Sequence, residues 1–145
     1  MLRVRISTIA LVCFLALTAL FASGGVRAVA EEPLAYTVEV DDVTAKVGDP
    51  AVLRAKLRIN DGYRILKGYN NRVIEMSSFD DGVVFENKMV RATVEDDALV
   101  FAVPLRASKP GTHPINGVFR VGYMHGTEEM AMVSLRLIAK VTGTE

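Results

Sequence analysis

The chain has 145 residues, 17 basic and 17 acidic side chains, one cysteine and no tryptophan. That length suits one domain, and basic residues scattered among acidic ones exclude the electrostatic footprint of a nucleic-acid binder. With Cys13 as the lone cysteine, an internal disulfide is excluded as well.

Residues 1–30 read as a leader rather than as part of the domain. Arg3 and Arg5 form a basic start, residues 6–22 are apolar, and Ala28-Val29-Ala30 supplies a small-x-small cleavage pattern before Glu31-Glu32. The expectation is a signal peptide over 1–30, export to the periplasm or beyond, and no membrane contact other than through that leader. Cleavage after Ala30 removes Cys13, so residues 31–145 carry no thiol and form no disulfide. It also removes three basic residues (Arg3, Arg5 and Arg27) and no acidic one, for a net charge of −3.

The remaining chain reads as strand after strand. Residues 36–40 alternate, with Tyr36, Val38 and Val40 on one face. In 51–59, Leu53, Ala55, Leu57 and Ile59 point one way while Arg54, Lys56 and Arg58 point the other. This period of two is that of a strand with one wet face. Residues 99–105 repeat it through Leu99, Phe101, Val103 and Leu105. Residues 118–124 and 130–141 add two more strands, the second with Ala131, Val133, Leu135, Leu137, Ala139 and Val141 inward. Residues 83–85 and 89–94 are weaker candidates, and Gly111-Thr112-His113-Pro114 reads as a loop before a strand. Gly48-Asp49-Pro50, Asp61-Gly62, Asp80-Asp81-Gly82, Glu95-Asp96-Asp97 and Lys109-Pro110-Gly111 are turn sequences. Seven or eight short strands spaced by turns predict an antiparallel sandwich filling 31–145. Gly117 and Gly122, inside a strand pattern, mark a bulge or a close backbone approach.

Three segments, in order, carry a resemblance. They are LRINDGYRILKGYNNRV at 57–73, LVFAVPLRASKPG at 99–111 and GVFRVGYMHGTEEMAMVSLR at 118–137. Together they resemble the N-terminal domain of DsbD-type thiol:disulfide interchange proteins, whose active-site hairpin carries two cysteines. Met124 falls at the first cysteine position and Glu129 near the second. The resemblance implies an immunoglobulin-like antiparallel β-sandwich, exported across the inner membrane, with Tyr63, Tyr69, Asn70 and Asn71 in the family's cap loop. It does not carry redox activity over. Exchange needs a thiolate and a second sulfur; a thioether and a carboxylate supply neither. The chain is therefore expected to be no enzyme but a non-catalytic binding module. Its contact surface would comprise Tyr63, Tyr69, Asn70, Asn71, Tyr123, Met124, His125, Glu129 and Met130, and its partner would be an envelope protein.

One other chemistry fits the same stretch. Met124, His125, Met130 and Met132 cluster around one turn, and thioether and imidazole ligands suit Cu(I). No resident cofactor is expected otherwise. His125 beside Glu128 and Glu129 has the residue types for acid–base work but no nucleophile in a positioning motif. The acidic pairs Asp41-Asp42, Asp80-Asp81 and Asp96-Asp97 sit where turns are expected and lack calcium-loop spacing.

Overall fold

The computed structural model describes residues 34–145; the leader expected at 1–30, its cleavage site and Cys13 lie outside the described residues. The described chain folds into strands β1 (Tyr36–Val40), β2 (Val43–Lys46), β3 (Ala51–Ile59), β4 (Tyr63–Ile65), β5 (Arg72–Ser78), β6 (Val83–Phe85), β7 (Val90–Arg91), β8 (Thr93–Glu95), β9 (Ala98–Ala107), β10 (Gly111–His125) and β11 (Glu129–Thr144). One sheet runs β1–β3–β9–β6, with β8 also on β9. The other runs β2–β11–β10–β5–β7, with β4 also on β10. Placing β1, β3, β9 and β6 on one sheet and β5, β10 and β11 on the other reproduces the ABED and CFG layout of a seven-stranded immunoglobulin domain. The chain is an immunoglobulin-like β-sandwich.

The alternating residues build its core. Leu53, Ala55 and Leu57 from β3 meet Leu99, Phe101, Val103 and Leu105 from β9 on one inner face. Val73, Ile115, Phe119, Val121, Leu137, Ala139 and Val141 face them from the other sheet, all buried. Phe101 and Phe119 touch across the two sheets, ring centres 4.9 Å apart. Each large apolar side chain so buried contributes roughly 1.5–3 kcal/mol.

The architecture departs from the expected one in four places. The sandwich is not wholly antiparallel: β2 pairs in parallel with β11, Val43 opposite Val141. Only Asp41 and Asp42 separate β1 from β2, so the chain keeps its direction while switching sheets; the Asp42 carboxylate accepts the Lys140 amide at 2.8 Å as it crosses. Residues 89–94 are two strands, not one. β7 joins β5 in one sheet and β8 joins β9 in the other, with the Ala92 amide bonded to the Asn71 carbonyl between them. Residues 72–78, not among the expected strands, form β5, which breaks its own alternation. Val118 pairs with Ile74 and Asn116 with Ser77, which leaves an extra residue on β5 at Glu75, whose φ is 58°. This is the bulge that Gly117 foreshadowed: a Cβ there would lie 2.5 Å from the Met76 sulfur.

The fourth departure concerns 111–114, which is the start of β10 and not a loop. His113 is buried there, its Nδ1 2.7 Å from an Asp80 carboxylate oxygen and its Nε2 2.9 Å from the Lys109 carbonyl. The ring lies so close to Gly82 that a Cβ on that glycine would collide with it. The Asp80 carboxylate also takes the Gly82 amide and the Ser78 hydroxyl, each at 3.0 Å. Asp80 is thus a turn residue, as its sequence context indicates, and an anchor for the histidine as well.

Candidate functional site

The hairpin β10–β11 carries the residues singled out above. Its register is unbroken from Gly111 opposite Gly143 to His125 opposite Glu129, and the turn closes through Gly126 at φ 63°, a left-handed conformation that favours glycine. At its upper end β4 lies on the other side of β10, pairing Tyr63 with His125, Arg64 with Met124 and Ile65 with Tyr123. The Arg64 guanidinium donates to the Gly126 carbonyl at 2.6 Å and ties β4 to the turn.

Directly opposite residues of an antiparallel pair project from the same face of the sheet, and neighbours along a strand from opposite faces. This rule sorts the tip into two groups. Tyr123, His125, Glu129 and Tyr63 lie on the side that continues the inner face. Tyr63 stacks on His125 with centroids 4.7 Å apart and meets Tyr123 edge-on at 5.7 Å. Tyr36, from the other sheet, reaches Tyr123 at 6.1 Å, so aromatic rings close this end of the sandwich. Burial, with the neighbouring Tyr36 and Tyr63 phenols and the Glu129 carboxylate, pushes the Tyr123 phenol above its usual value. His125 remains exposed, 3.3 Å from the Glu129 carboxylate.

Met124, Met130 and Met132 lie on the outer face. Met124 is opposite Met130, and Met132 is opposite Gly122. Met130 and Met132 are 62% and 68% exposed, so neither fills the core. Of the two positions aligned with the family's cysteines, Met124 lies opposite Met130, and Glu129 lies opposite His125 on the other face. The four expected Cu(I) ligands are split: three thioethers share one face, and the imidazole is on the other.

The expected contact surface loses one member. Asn71 is buried; its side-chain oxygen accepts the Gly122 amide at 2.9 Å and its nitrogen reaches the Leu66 and Tyr69 carbonyls at 3.3 Å each. It is a clip that fastens the 66–71 loop to β10, and an unpaired buried donor in its place costs about 1–3 kcal/mol. Tyr69 packs over Gly122, where a Cβ would stand 2.9 Å from its ring, so Gly122 marks a close approach, as its place in a strand suggests. Asn70 is exposed, and Tyr63 and Tyr69 are half-buried. Beside β4 an open groove of about 730 Å³ is lined by Ile59, Tyr63, Arg64, Lys67 and Val94, among others.

Sequence reasoning missed the arginines of this sheet. Arg72 on β5 is opposite both Arg91 on β7 and Arg120 on β10. They are far apart in the chain, and only strand pairing brings them into line.

No family model matches the chain, and no curated protein does. Among solved structures it is similar to the seventh ScaB type I cohesin from Pseudobacteroides cellulosolvens, with a TM-score of 0.44 and 13% identity, covering 76% of this chain and 94% of that one. That likeness is too slight to bear on function.

Proposed function

We propose that the chain is an exported, non-catalytic binding module of the cell envelope on a DsbD N-terminal-like sandwich, and that it contacts an envelope protein through the β10–β11 tip and the neighbouring β4. The observation that carries this reading is the Met124–Met130 pair. It occupies the directly opposed position at which a hairpin disulfide would span the strands, and it holds two thioethers that neither ionise nor exchange. What remains at that end is a surface for contact: Tyr63 stacked on the exposed His125, with Met130 on the outer side. Copper handling is the weaker reading, because the imidazole is divided from the thioethers and Arg64 lies opposite Met124 on the thioether face.

A photo-crosslinking residue placed at position 125 in cells tests the proposal. It should give one discrete adduct with an envelope protein, weakened by Tyr63→Ala, while the same probe at position 52 on the other sheet gives none. Equal labelling from both positions, or no adduct at 125, overturns the tip as the contact site.

A further inference from the structure

We infer that the outer face of the β2–β11–β10–β5–β7 sheet is a docking surface for an acidic, partly apolar segment of another protein, centred on a row of three arginines. Arg91, Arg72 and Arg120 stand directly opposite one another on three adjacent strands. Strands lie about 4.8 Å apart, so the row sets three guanidinium-bearing side chains side by side. Arg136, on β11 and opposite Val118 of β10, adds a fourth charge one row away. Like charges facing each other across strands destabilise a sheet. Nothing in the fold neutralises this row: among the described residues none of the four arginines lies within 4.0 Å of a carboxylate. Their side-chain hydrogen bonds run to neutral groups, Arg72 to the Asn70 carbonyl at 2.8 Å and Arg120 to the Ser134 hydroxyl at 2.5 Å. Uncompensated like charge that packing does not require is the mark of a surface shaped for a ligand rather than for stability.

The same face says what the ligand is. Guanidinium groups pair with carboxylates in a planar fork, which favours acidic side chains as partners. Exposed Met132 flanks the arginine row on one side and exposed Ile138 on the other, and methionine adapts its shape to varied apolar contacts. An anion alone leaves these apolar groups uncovered; a protein segment that alternates acidic and apolar residues covers both. A second copy of this chain is a poor fit, because a two-fold contact centred on this row would set its arginines against their own counterparts.

The inference rests on the reading of the chain as a binding module but places the main contact along the sheet rather than at the tip. It is tested on the full chain by fluorescence anisotropy with three probes: a labelled peptide alternating Glu and Leu, its Lys–Leu counterpart, and phosphatidylglycerol vesicles. The Glu–Leu peptide should bind and weaken as salt is raised, and the Lys–Leu peptide should not. Arg72→Glu/Arg120→Glu should lower affinity for the Glu–Leu peptide at least about tenfold. Arg72→Gln/Arg120→Gln should also weaken binding while leaving the melting temperature unchanged or raised, an outcome a purely structural role for the arginines does not produce. Equal affinity for both peptides, a lowered melting temperature in the glutamine variant, or arginine-dependent binding of vesicles without the Glu–Leu peptide overturns the inference. Loss of the crosslink at position 125 with peptide binding intact would instead overturn only the tip.

Discussion

A buried imidazole with acceptors at both ring nitrogens is most comfortable when both carry protons. His113 has the Asp80 carboxylate on one side and the Lys109 carbonyl on the other. The hydrogen bond to Asp80, ahead of the Lys109 carbonyl, raises its pKa above 6.5 despite burial. The same bond is the main reason Asp80 falls from 3.8 to about 2. The raised histidine contributes stability that is complete below pH 6.5 and lost as pH climbs through its folded value. The lowered aspartate contributes above pH 3.8 and is lost as pH falls towards 2. The pair therefore stabilises the fold most between those limits. Thermal melts should show the native chain losing stability as pH rises above 6.5, while His113→Gln, less stable below pH 6.5, stays nearly level. Parallel curves for the two proteins would sink this account. Little of the arrangement was legible in the sequence. Asp80-Asp81-Gly82 announces a turn, but nothing local says that a histidine 33 positions away will lie against it. The adjacent Asn70 and Asn71 are equally opaque: one is exposed and one is a buried clip, held by the Gly122 amide and the Leu66 and Tyr69 carbonyls.

At the scale of the element, the hairpin was the most legible part of the chain. Period-two alternation gives each strand its faces, and Met130 and Met132 lie outward as that period requires. Pairing across the turn was less legible, because one residue of register moves every side chain to the other face. That slip separates Met124 opposite Met130 from Met124 beside Glu129, and an engineered disulfide distinguishes the two. Directly opposed residues have Cα atoms roughly 4.5–5.5 Å apart, inside the span a disulfide tolerates. Met124→Cys/Met130→Cys should oxidise readily, seen as the loss of two alkylatable thiols by mass spectrometry. Met124→Cys/Glu129→Cys should stay reduced under the same conditions, since its side chains leave from opposite faces. Rapid oxidation of the second pair alone would refute the register. Strand β5 was illegible for the complementary reason: its bulge at Glu75 puts Val73 and Met76 inward three residues apart, which matches no strand period.

For the molecule as a whole, the strands that carry the core were legible and the marginal pairings of β4, β7 and β8 were not, and this division follows the physics of the sandwich. Strands β3, β9, β10 and β11 bury continuous apolar stripes and carry the core, so their pattern is strong. Strands β4, β7 and β8 span two or three residues each and lie at the margins of the sheets. Their residues are half-buried or exposed, so pairing rather than hydrophobicity defines them. The arginine row depends on this marginal structure, because β7 supplies Arg91 and two residues are all that hold it in line with Arg72. Regions with few buried apolar contacts open locally at a small fraction of the global unfolding free energy. Native-state hydrogen exchange should therefore show amides of β4, β7 and β8 exchanging at least about a hundredfold faster than those of β3, β9 and the middle of β10. The Glu–Leu peptide should slow exchange in β7 selectively, because bridging Arg91 to Arg72 and Arg120 adds a cross-strand tie that the free protein lacks. Uniform protection across all strands, or slowing confined to the hairpin tip, would mean that the outer face is as rigid as the core and that its arginine row is not completed by a ligand.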